Sequence, residues 1–457
     1  MRITREWLLP VVAAAILAIG FVLPGHGADT RPPRPVTVTQ SSYACPLTKD
    51  TSVATGRYVT HAGASTSARS QPNGQEVSSL GTTSGWAQSD VNGEALVVAT
   101  SDPQGSGAVG FTAEEPATKA GGGLSAAACP GVVEDGWFLG AGSGSKHFTT
   151  LSLTNLTNAP AIADVSLWGK KGPIDAVDSK GIVLSAFQSR TIKLETLAAG
   201  EPELAVHVHS RRGAMSIAAR DTSTAVFSGT EAIPASSAPS KSQLIPGLEA
   251  KTSSKQLLLL NPGNTTARVK VEALGTDGSL VPTGLDDVKV PAGRVEVLDV
   301  PKSAGNGVLG LRLTSDFPLS AGVRMATSAK DFAYAVGGPV LDGPAIAPLS
   351  VGGKLKGAKL VMTAPKAKAT VSVTAYDKDM KKVGATTLAL KADSTDAIDL
   401  GKKGLFDVAQ NKVAYVVVTS VGDVAGSAVY TNGDGLSAIP LRSAPLKTDA
   451  PDVRPGH

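Results

Sequence analysis

A repeated unit of roughly one hundred residues is the feature that most constrains the fold of this chain. Each copy carries an apolar run, a short polar turn and a second run in which apolar and polar residues alternate. The copies occupy residues 149–169, 255–275 and 358–377. Their turns begin 106 and 103 residues apart, at Asn155, Asn261 and Ala364. Such regular spacing predicts a chain built from equivalent modules.

A second series of segments follows the same period. Its aligned serines are separated by 105 residues and stand at Ser210, Ser315 and Ser420. A fourth member lies upstream, where "TSDPQGSGAVG" closely matches the later "TSDFPLSAGVR". The two series together predict four modules, of which the first diverges at its front.

Within a module the apolar residues recur with a period of two, which is typical of strands rather than helices. Val269, Val271 and Ala273 alternate with Lys270 and Glu272. Aromatic residues make up only 4%, and 50 Gly and 29 Pro supply frequent turns. The pattern predicts an all-β fold of tandem immunoglobulin-like antiparallel β-sandwich modules. A propeller is the competing interpretation, but each copy would then have to hold two blades.

The predicted organisation follows from the repeats and from the composition at their joints. It consists of a signal peptide or signal anchor (1–28), a Pro-rich linker (29–42), four β modules (43–130, 131–235, 236–345 and 346–447) and a disordered tail (448–457). Stretches rich in Pro, Gly and Ser are predicted to be short linkers at 114–123, 228–246 and 342–353.

The N-terminus predicts export. Arg2 and Arg5 precede an apolar run at residues 7–24, and a Pro-rich stretch follows. Cleavage of this segment and its retention as a membrane anchor both remain open, and a buried core helix is a weaker alternative. Because positive charges stay on the cytoplasmic side, either outcome places residues 29–457 outside the cytoplasm, secreted or anchored by a single pass.

The two cysteines of the chain, Cys45 and Cys129, bracket the first module. An even number of cysteines in an exported protein favours a disulfide, and two buried free thiols are the alternative. Their spacing matches no zinc-site pattern.

The module pattern L-x-L-x-N-P-G, followed by A-x-V-x-V-x-x-x-G and a strand ending in Thr-Ser, resembles an actinobacterial family of exported proteins that is known as a domain of unknown function. The resemblance covers residues 45–445 and rests on turn and core motifs. It implies export and a β-rich structure, and it transfers no catalytic residue to this chain.

Motifs for nucleophilic catalysis, zinc proteolysis and phosphate binding are missing from the sequence, so we expect no enzyme activity, no catalytic residue and no cofactor. His207 and His209 share a strand face and could reach one metal, but Arg211 and Arg212 follow at once. We therefore interpret the pair as a solvated strand face and predict no metal. An enzyme with an unfamiliar site is a remote alternative.

Two further groups are candidate binding residues. Trp137 and Phe138 could form an exposed aromatic contact, although burial in the core is the stronger interpretation. Residues 350–412 hold 12 Lys and 6 Asp and neither Arg nor Glu, which favours an anionic polymer or a solubilising surface. The candidate polymer-binding residues are Lys354, Lys356, Lys359, Lys381 and Lys382.

The Asn261-Pro262-Gly263-Asn264 segment predicts a type II turn, with Gly263 at positive φ. Asn155 and Asn264 begin N-x-[ST] sequons at the predicted tips, and whether they are glycosylated stays open.

These observations predict a non-catalytic envelope scaffold or interaction protein. Its partner is expected to be an envelope component or a protein, with residues 7–24 in the membrane if they are uncleaved. Binding of an anionic envelope polymer through the Lys-rich fourth module is the alternative. A net charge of +4 is too small and too dispersed to indicate nucleic acid.

Overall fold

The structure is a computed structural model that describes residues 34–81, 85–115, 123–406 and 408–450. Within these residues the chain forms strands and four short 3₁₀ turns, at Ser78–Leu80, Leu194–Thr196, Lys302–Ala304 and Gln410–Lys412. The predicted all-β class is confirmed. The predicted export segment lies outside the described residues. The described part of the chain holds no helix that is long and apolar enough to cross a membrane.

The chain divides into two compact units. In the first unit, β1 (Arg34–Thr37) pairs antiparallel with β36 (Lys447–Ala450). β1 lies in the predicted linker 29–42, and most of β36 lies in the predicted disordered tail 448–457. Both predictions are therefore wrong for these residues. The pairing joins segments from opposite ends of the sequence, and local composition carries no signal for it.

The second unit, Val38–Leu446, contains four β-sandwiches. The strands of sandwich 1 are β2 (Gln40–Pro46), β3 (Ser52–Gly56), β4 (Ser65–Gln71), β5 (Gln75–Glu76), β6 (Trp86–Asp90), β7 (Ala95–Ser101), β8 (Val109–Glu114) and β9 (Ser125–Ala128). Sheet 1A has the order β2-β7-β4-β5, and sheet 1B has the order β6-β3-β8-β9.

Sandwich 2 comprises two five-stranded sheets. Its strands are β10 (Asp135–Ala141), β11 (Ser143–Gly144), β12 (His147–Asn155), β13 (Ala161–Gly169), β14 (Gly172–Ile174), β15 (Ile182–Leu184), β16 (Ser189–Lys193), β17 (Leu204–Arg212), β18 (Met215–Thr224) and β19 (Ser228–Ile233). Sheet 2A has the order β10-β17-β13-β14, with β15 also on β13. Sheet 2B has the order β11-β12-β18-β19, with β16 also on β12.

In sandwich 3 one strand serves both sheets. The strands are β20 (Ser240–Leu248), β21 (Ser254–Leu260), β22 (Ala267–Gly275), β23 (Gly278–Leu280), β24 (Val288–Val290), β25 (Val295–Asp299), β26 (Leu309–Ala326) and β27 (Phe332–Val336). The first part of β26 pairs with β20 and β22, and its second part pairs with β21 and β27.

Sandwich 4 comprises two four-stranded sheets. Its strands are β28 (Ala345–Pro348), β29 (Lys359–Ala364), β30 (Ala369–Tyr376), β31 (Lys382–Leu390), β32 (Ser394–Asp399), β33 (Tyr415–Val421), β34 (Ala425–Asn432) and β35 (Gly435–Pro440). Sheet 4A has the order β28-β33-β30-β31, and sheet 4B has the order β32-β29-β34-β35.

The two sheets of each sandwich enclose an apolar core that the period-two pattern supplies. In β13 buried and half-buried residues alternate along the whole strand, and in β30 buried residues alternate with exposed or half-buried ones. The core of sandwich 1 also holds the predicted disulfide between Cys45 and Cys129, which is confirmed. It joins sheet 1A to the segment that follows β9.

One edge strand from each sandwich meets the others in a closed cycle. β9 contacts β19, β19 contacts β27, β27 contacts β35, and β35 contacts β9. An uncovered edge strand exposes backbone groups that pair readily with other chains, and here the four edges cover one another. The predicted linkers 228–246 and 342–353 are therefore wrong in large part, since they contain β19, β20 and β28. Most of the predicted linker 114–123 lies outside the described residues.

Polar side chains supply hydrogen bonds to the edges at this meeting point. Asp331 accepts hydrogen bonds from the backbone N–H groups of Leu124 at 3.1 Å and Leu436 at 2.7 Å. The Ser437 hydroxyl accepts one from the N–H of Ala126 at 2.8 Å. These contacts connect sandwiches 1, 3 and 4.

The turn that begins at Asn261 is built differently from the type II turn that the sequence predicts, because Gly263 does not have positive φ. The Asn261 side chain is fully buried and accepts a hydrogen bond from the N–H of Gly263 at 3.0 Å. Its amide nitrogen donates to the carbonyls of Thr265 and Val290 at 2.7 and 2.9 Å. Hydrogen bonds of the Asn261 side chain thus stabilise the turn, which does not depend on a glycine with positive φ.

Asn155 repeats this arrangement in sandwich 2 and is also fully buried. Its amide nitrogen donates to Ala159 and Ser185, and its oxygen accepts from Thr157. The expectation of two exposed sequons is therefore wrong for Asn155, whereas Asn264 is exposed.

Candidate functional site

The candidate site lies on the outward face of sheet 2A, where β17 runs between β10 and β13. Strand alternation sends Val206 and Val208 into the core, where both are fully buried, and turns His207 and His209 outward. The antiparallel register places His209 opposite Asp135 of β10. A residue far away in sequence is thereby brought beside both histidines.

His207, His209 and Asp135 converge on one point. Asp135 Oδ1 lies 2.7 Å from His207 Nε2 and 3.0 Å from His209 Nδ1. One ligand atom from each residue lies within 4.8 Å of the other two. Within the part of the chain that the structure describes, this is the one such cluster of three His, Cys, Asp or Glu side chains. We refer to these three residues as the His-Asp triad.

The surroundings of the triad shift the protonation of two of its members. Partial burial raises the pKa of Asp135, but the hydrogen bonds from His207 and His209 outweigh this effect and hold its pKa below the usual value. Burial lowers the pKa of His207, and the nearby Asp135 carboxylate opposes that shift only in part. Asp135 is therefore ionised and His207 neutral at neutral pH.

Two tryptophans flank the triad. The indole of Trp137 stacks on the His207 imidazole with 3.9 Å between ring centroids and an interplanar angle of 12°. Trp168 stacks on Trp137 at 5.8 Å. Both tryptophans are half-buried, so each is in part accessible to solvent. Phe138 is buried in the core, in agreement with the stronger interpretation of the sequence, and the alternative of an exposed contact does not hold for it.

The positive charges near the triad have their own partners. Arg211 Nε lies 3.6 Å from a carboxylate oxygen of Asp164. Lys180 Nζ donates a hydrogen bond to the hydroxyl of Ser166 at 2.7 Å. The sequence-based objection to a cation at this face rested on Arg211 and Arg212, and the carboxylate partner of Arg211 weakens it for that residue alone.

The five lysines predicted to bind a polymer do not share one environment. Lys359 Nζ lies 2.9 Å from Glu249, which is fully buried between sandwiches 3 and 4. Lys354 donates to the backbone carbonyl of Asp50 in sandwich 1. Lys356, Lys381 and Lys382 are exposed.

The arrangement of the triad combines two imidazoles with one carboxylate beside an aromatic surface that partly faces solvent. Sequence reasoning found the histidine pair and one tryptophan but missed Asp135 and the pairing with Trp168. The available signal was the position of Asp135 in "EDGWFLG", two residues before Trp137 and hence on the same strand face.

Comparison with known proteins assigns no activity. The model described as "Family of unknown function (DUF5719)" matches residues 86–401. No curated protein matches the sequence.

Solved structures match the chain only weakly. The structure titled Thermotoga maritima 1070 is 14% identical, with 22% of this chain and 94% of that chain covered and a TM-score of 0.19. The Anabaena sensory rhodopsin transducer is 17% identical, with coverages of 19% and 95% and a TM-score of 0.16. An anti-sigma factor domain-containing protein is 12% identical, with coverages of 69% and 84% and a TM-score of 0.14.

Proposed function

The chain belongs to this family of unknown function, DUF5719, and we propose that it is an exported, non-catalytic interaction protein of the cell envelope. In this proposal the four sandwiches form a rigid scaffold, and the outward face of sheet 2A binds the partner. The observation that carries the proposal is the closed cycle of β9, β19, β27 and β35.

Contacts between the sandwiches support a rigid rather than a flexible scaffold. The apolar core of sandwich 4 includes Trp86 of sandwich 1, whose ring stacks on Tyr415 with 5.1 Å between centroids. The Tyr334 hydroxyl of sandwich 3 lies within hydrogen-bond distance of two acceptors of sandwich 2, the carbonyl of Gly140 at 3.0 Å and the carboxylate of Asp221 at 2.8 Å. Motion of one sandwich against another would break buried contacts of these kinds.

The disulfide supports export, since disulfides persist in oxidising compartments. The binding face is supported by its composition. Tryptophan and histidine side chains give a large contact area at low conformational cost, and tryptophan is enriched where few residues carry most of the binding energy. Trp137 and Trp168 meet this description.

Site-specific photo-cross-linking in intact cells of the source organism tests the proposal. A photoreactive amino acid at Val183, which is 55% exposed on sheet 2A, is expected to capture a discrete envelope partner. The matched control is Val421, which is 78% exposed on sheet 4A. Capture at Val183 and not at Val421 supports the proposal. Absence of a discrete product at Val183, or equal capture of the same product at both positions, contradicts it.

Binding of an anionic envelope polymer is a second proposal, and the exposure of Lys356, Lys381 and Lys382 favours it. Ammonium groups attract polyanions over a distance that salt shortens. Lys354 and Lys359 are excluded from this surface, because both are engaged at contacts between sandwiches.

A further inference from the structure

We propose that the His-Asp triad is a binding site for a divalent transition-metal ion of the Zn²⁺ class. The proposal is independent of the envelope partner proposed above. It rests on the position of three ligand atoms and on the chemistry of their side chains.

The donor set fits such an ion. Imidazole nitrogen and carboxylate oxygen are ordinary ligands of Zn²⁺, at about 2.0–2.2 Å. Two such ligands in a tetrahedral site lie about 3.3 Å apart, as follows from those bond lengths. Asp135 Oδ1 lies 2.7 and 3.0 Å from the two imidazole nitrogens. On that spacing the carboxylate oxygen would have to move away from the two nitrogens by about 0.3–0.6 Å.

The geometry differs from that of an ordinary surface hydrogen bond. A single carboxylate oxygen faces two imidazole nitrogens, and those nitrogens are themselves within 4.8 Å of each other. Stacking on Trp137 fixes the ring plane of His207. A ring that is already oriented loses little freedom when it binds an ion, and a fixed ring orientation is typical of metal-ligating histidines.

The charged groups around the triad also bear on whether a cation can bind there. Of the positive groups near the triad, Arg211 and Lys180 contact Asp164 and Ser166, and Arg212 at the end of β17 is exposed. With three protein ligands, a water molecule or another oxygen donor would complete a tetrahedral coordination.

Ligand type decides which ions bind. Ca²⁺ and Mg²⁺ prefer sets of oxygen ligands, and a triad with two nitrogens is a poor match for them. Zn²⁺, Co²⁺, Ni²⁺ and Cu²⁺ all accept imidazole, and they follow the usual order of affinity.

Isothermal titration of the untagged exported chain with ZnCl₂ at pH 7.5, after removal of metal by a chelator, tests the site. We expect one ion per chain, no heat with MgCl₂ or CaCl₂, and weaker binding at acidic pH, because metal ligands must be deprotonated. With Co²⁺ as the probe, visible absorption is expected to show a four-coordinate ion.

Variants locate the ion. Asp135→Asn, His207→Gln and His209→Gln are each expected to weaken binding by tenfold or more, in line with loss of one ligand. His61→Gln is the matched control, because His61 is a half-buried histidine that lies 2.9 Å from Asp102 in sandwich 1.

Circular dichroism and the Tm of metal-free protein separate loss of a ligand from loss of the fold. Asp135→Asn is nearly isosteric and keeps the stacking on Trp137, so its Tm without metal is expected to stay close to that of the unchanged chain. Absence of stoichiometric binding in the unchanged chain, or retention of one tight site in Asp135→Asn and His209→Gln, overturns the proposal.

Discussion

Arg324 of sandwich 3 forms a buried ion pair with Glu203 of sandwich 2. The Arg324 side chain is 3% exposed, and its Nη1 lies 3.4 Å from Glu203 Oε2. Its Nη2 also donates to Gln256 at 2.9 Å, and its guanidinium carbon lies 4.4 Å from the centroid of the Phe227 ring. The Arg324 cation of sandwich 3 and the Glu203 carboxylate of sandwich 2 are therefore each other's main charged partner.

Removal of one partner from this pair should destabilise the chain strongly. Glu203→Gln leaves the Arg324 cation buried without a counter-charge, and we expect a loss of about 3 kcal/mol in the free energy of unfolding, measured in urea. Glu203→Leu combined with Arg324→Met should recover most of this loss, because no charge then remains buried. The control is Glu195→Gln, which breaks an exposed pair with Lys193 and should cost about 0.5 kcal/mol or less. Equal losses for Glu203→Gln and Glu195→Gln would contradict the prediction.

Asp331 gives the meeting point of the edge strands a dependence on pH. Its side chain is 3% exposed, and burial raises its pKa to about 6 despite the hydrogen bonds from three backbone N–H groups. Burial also raises the pKa of the neighbouring Glu231 well above its ordinary value. A carboxyl group with a raised pKa in the folded state stabilises that state only while it is protonated.

Asp331→Asn should therefore change how the free energy of unfolding depends on pH, in the range between the unfolded and folded pKa values of Asp331. The protonated Asp331 carboxyl makes its full contribution to the free energy of unfolding below its unfolded pKa of about 3.9. This contribution is lost as pH rises through its folded pKa of about 6, and the total loss is about 3 kcal/mol. The substituted amide would keep an oxygen for the same backbone donors without the charge, so the variant should be more stable than the unchanged chain at pH 8. Urea titrations at intervals from pH 4 to pH 8 measure the difference between the two chains. Carboxylates remote from Asp331 cancel in this difference, whereas Glu231 does not, because the Asp331 charge helps to raise its pKa. A difference that does not vary with pH would show that Asp331 is not the titrating group.

Local pattern and periodicity were sufficient to predict the strands and the disulfide. The alternation at Val269, Val271 and Ala273 is imposed by a sheet with one buried face, so it is visible in the sequence itself. The pairing of Cys45 with Cys129 required only a count of cysteines and an oxidising compartment.

The contacts that assemble the sites could not be predicted in the same way. Asp135 meets His207 across 72 residues of sequence, and only the register of β10 on β17 creates that contact. Asp331 meets Leu124 across 207 residues through the packing of separate sandwiches. Local sequence carries no information on strand register or on the packing of distant segments. For the same reason it does not distinguish the edge strand β19 from a linker.

The turn at residues 261–264 contains one buried and one exposed asparagine, and replacing each in turn tests the structural role of the buried one. Asn261→Ala removes an amide that satisfies buried carbonyls at Thr265 and Val290, and we expect a loss of about 2–3 kcal/mol in the free energy of unfolding. Asn264→Ala changes an exposed side chain in the same turn and should cost less than about 0.5 kcal/mol. Chemical denaturation of both variants measures the two losses, and similar values would refute the structural role of Asn261.

The disulfide predicts a further loss of stability. Cys45→Ala with Cys129→Ala opens a loop with a sequence separation of 84 residues, and the chain-entropy model gives a loss of about 4.6 kcal/mol. Exported protein should resist alkylation until it is treated with a reductant, as mass spectrometry would show. Alkylation of both thiols in exported protein without reductant would mean that the bridge does not form.

The exposed lysines give the polymer proposal its sharpest test. Replacement of Lys356, Lys381 and Lys382 by Glu reverses three solvent-exposed charges, and it should abolish salt-sensitive co-sedimentation with isolated cell-wall material. The control replaces three exposed lysines of sandwich 2 by Glu, so that both triple variants have the same net charge; these are Lys170, Lys171 and Lys193. Loss of binding in the first variant alone assigns the polymer to sandwich 4. Equal loss in both variants would indicate attraction by net charge, and unchanged binding in the first variant would remove the polymer proposal.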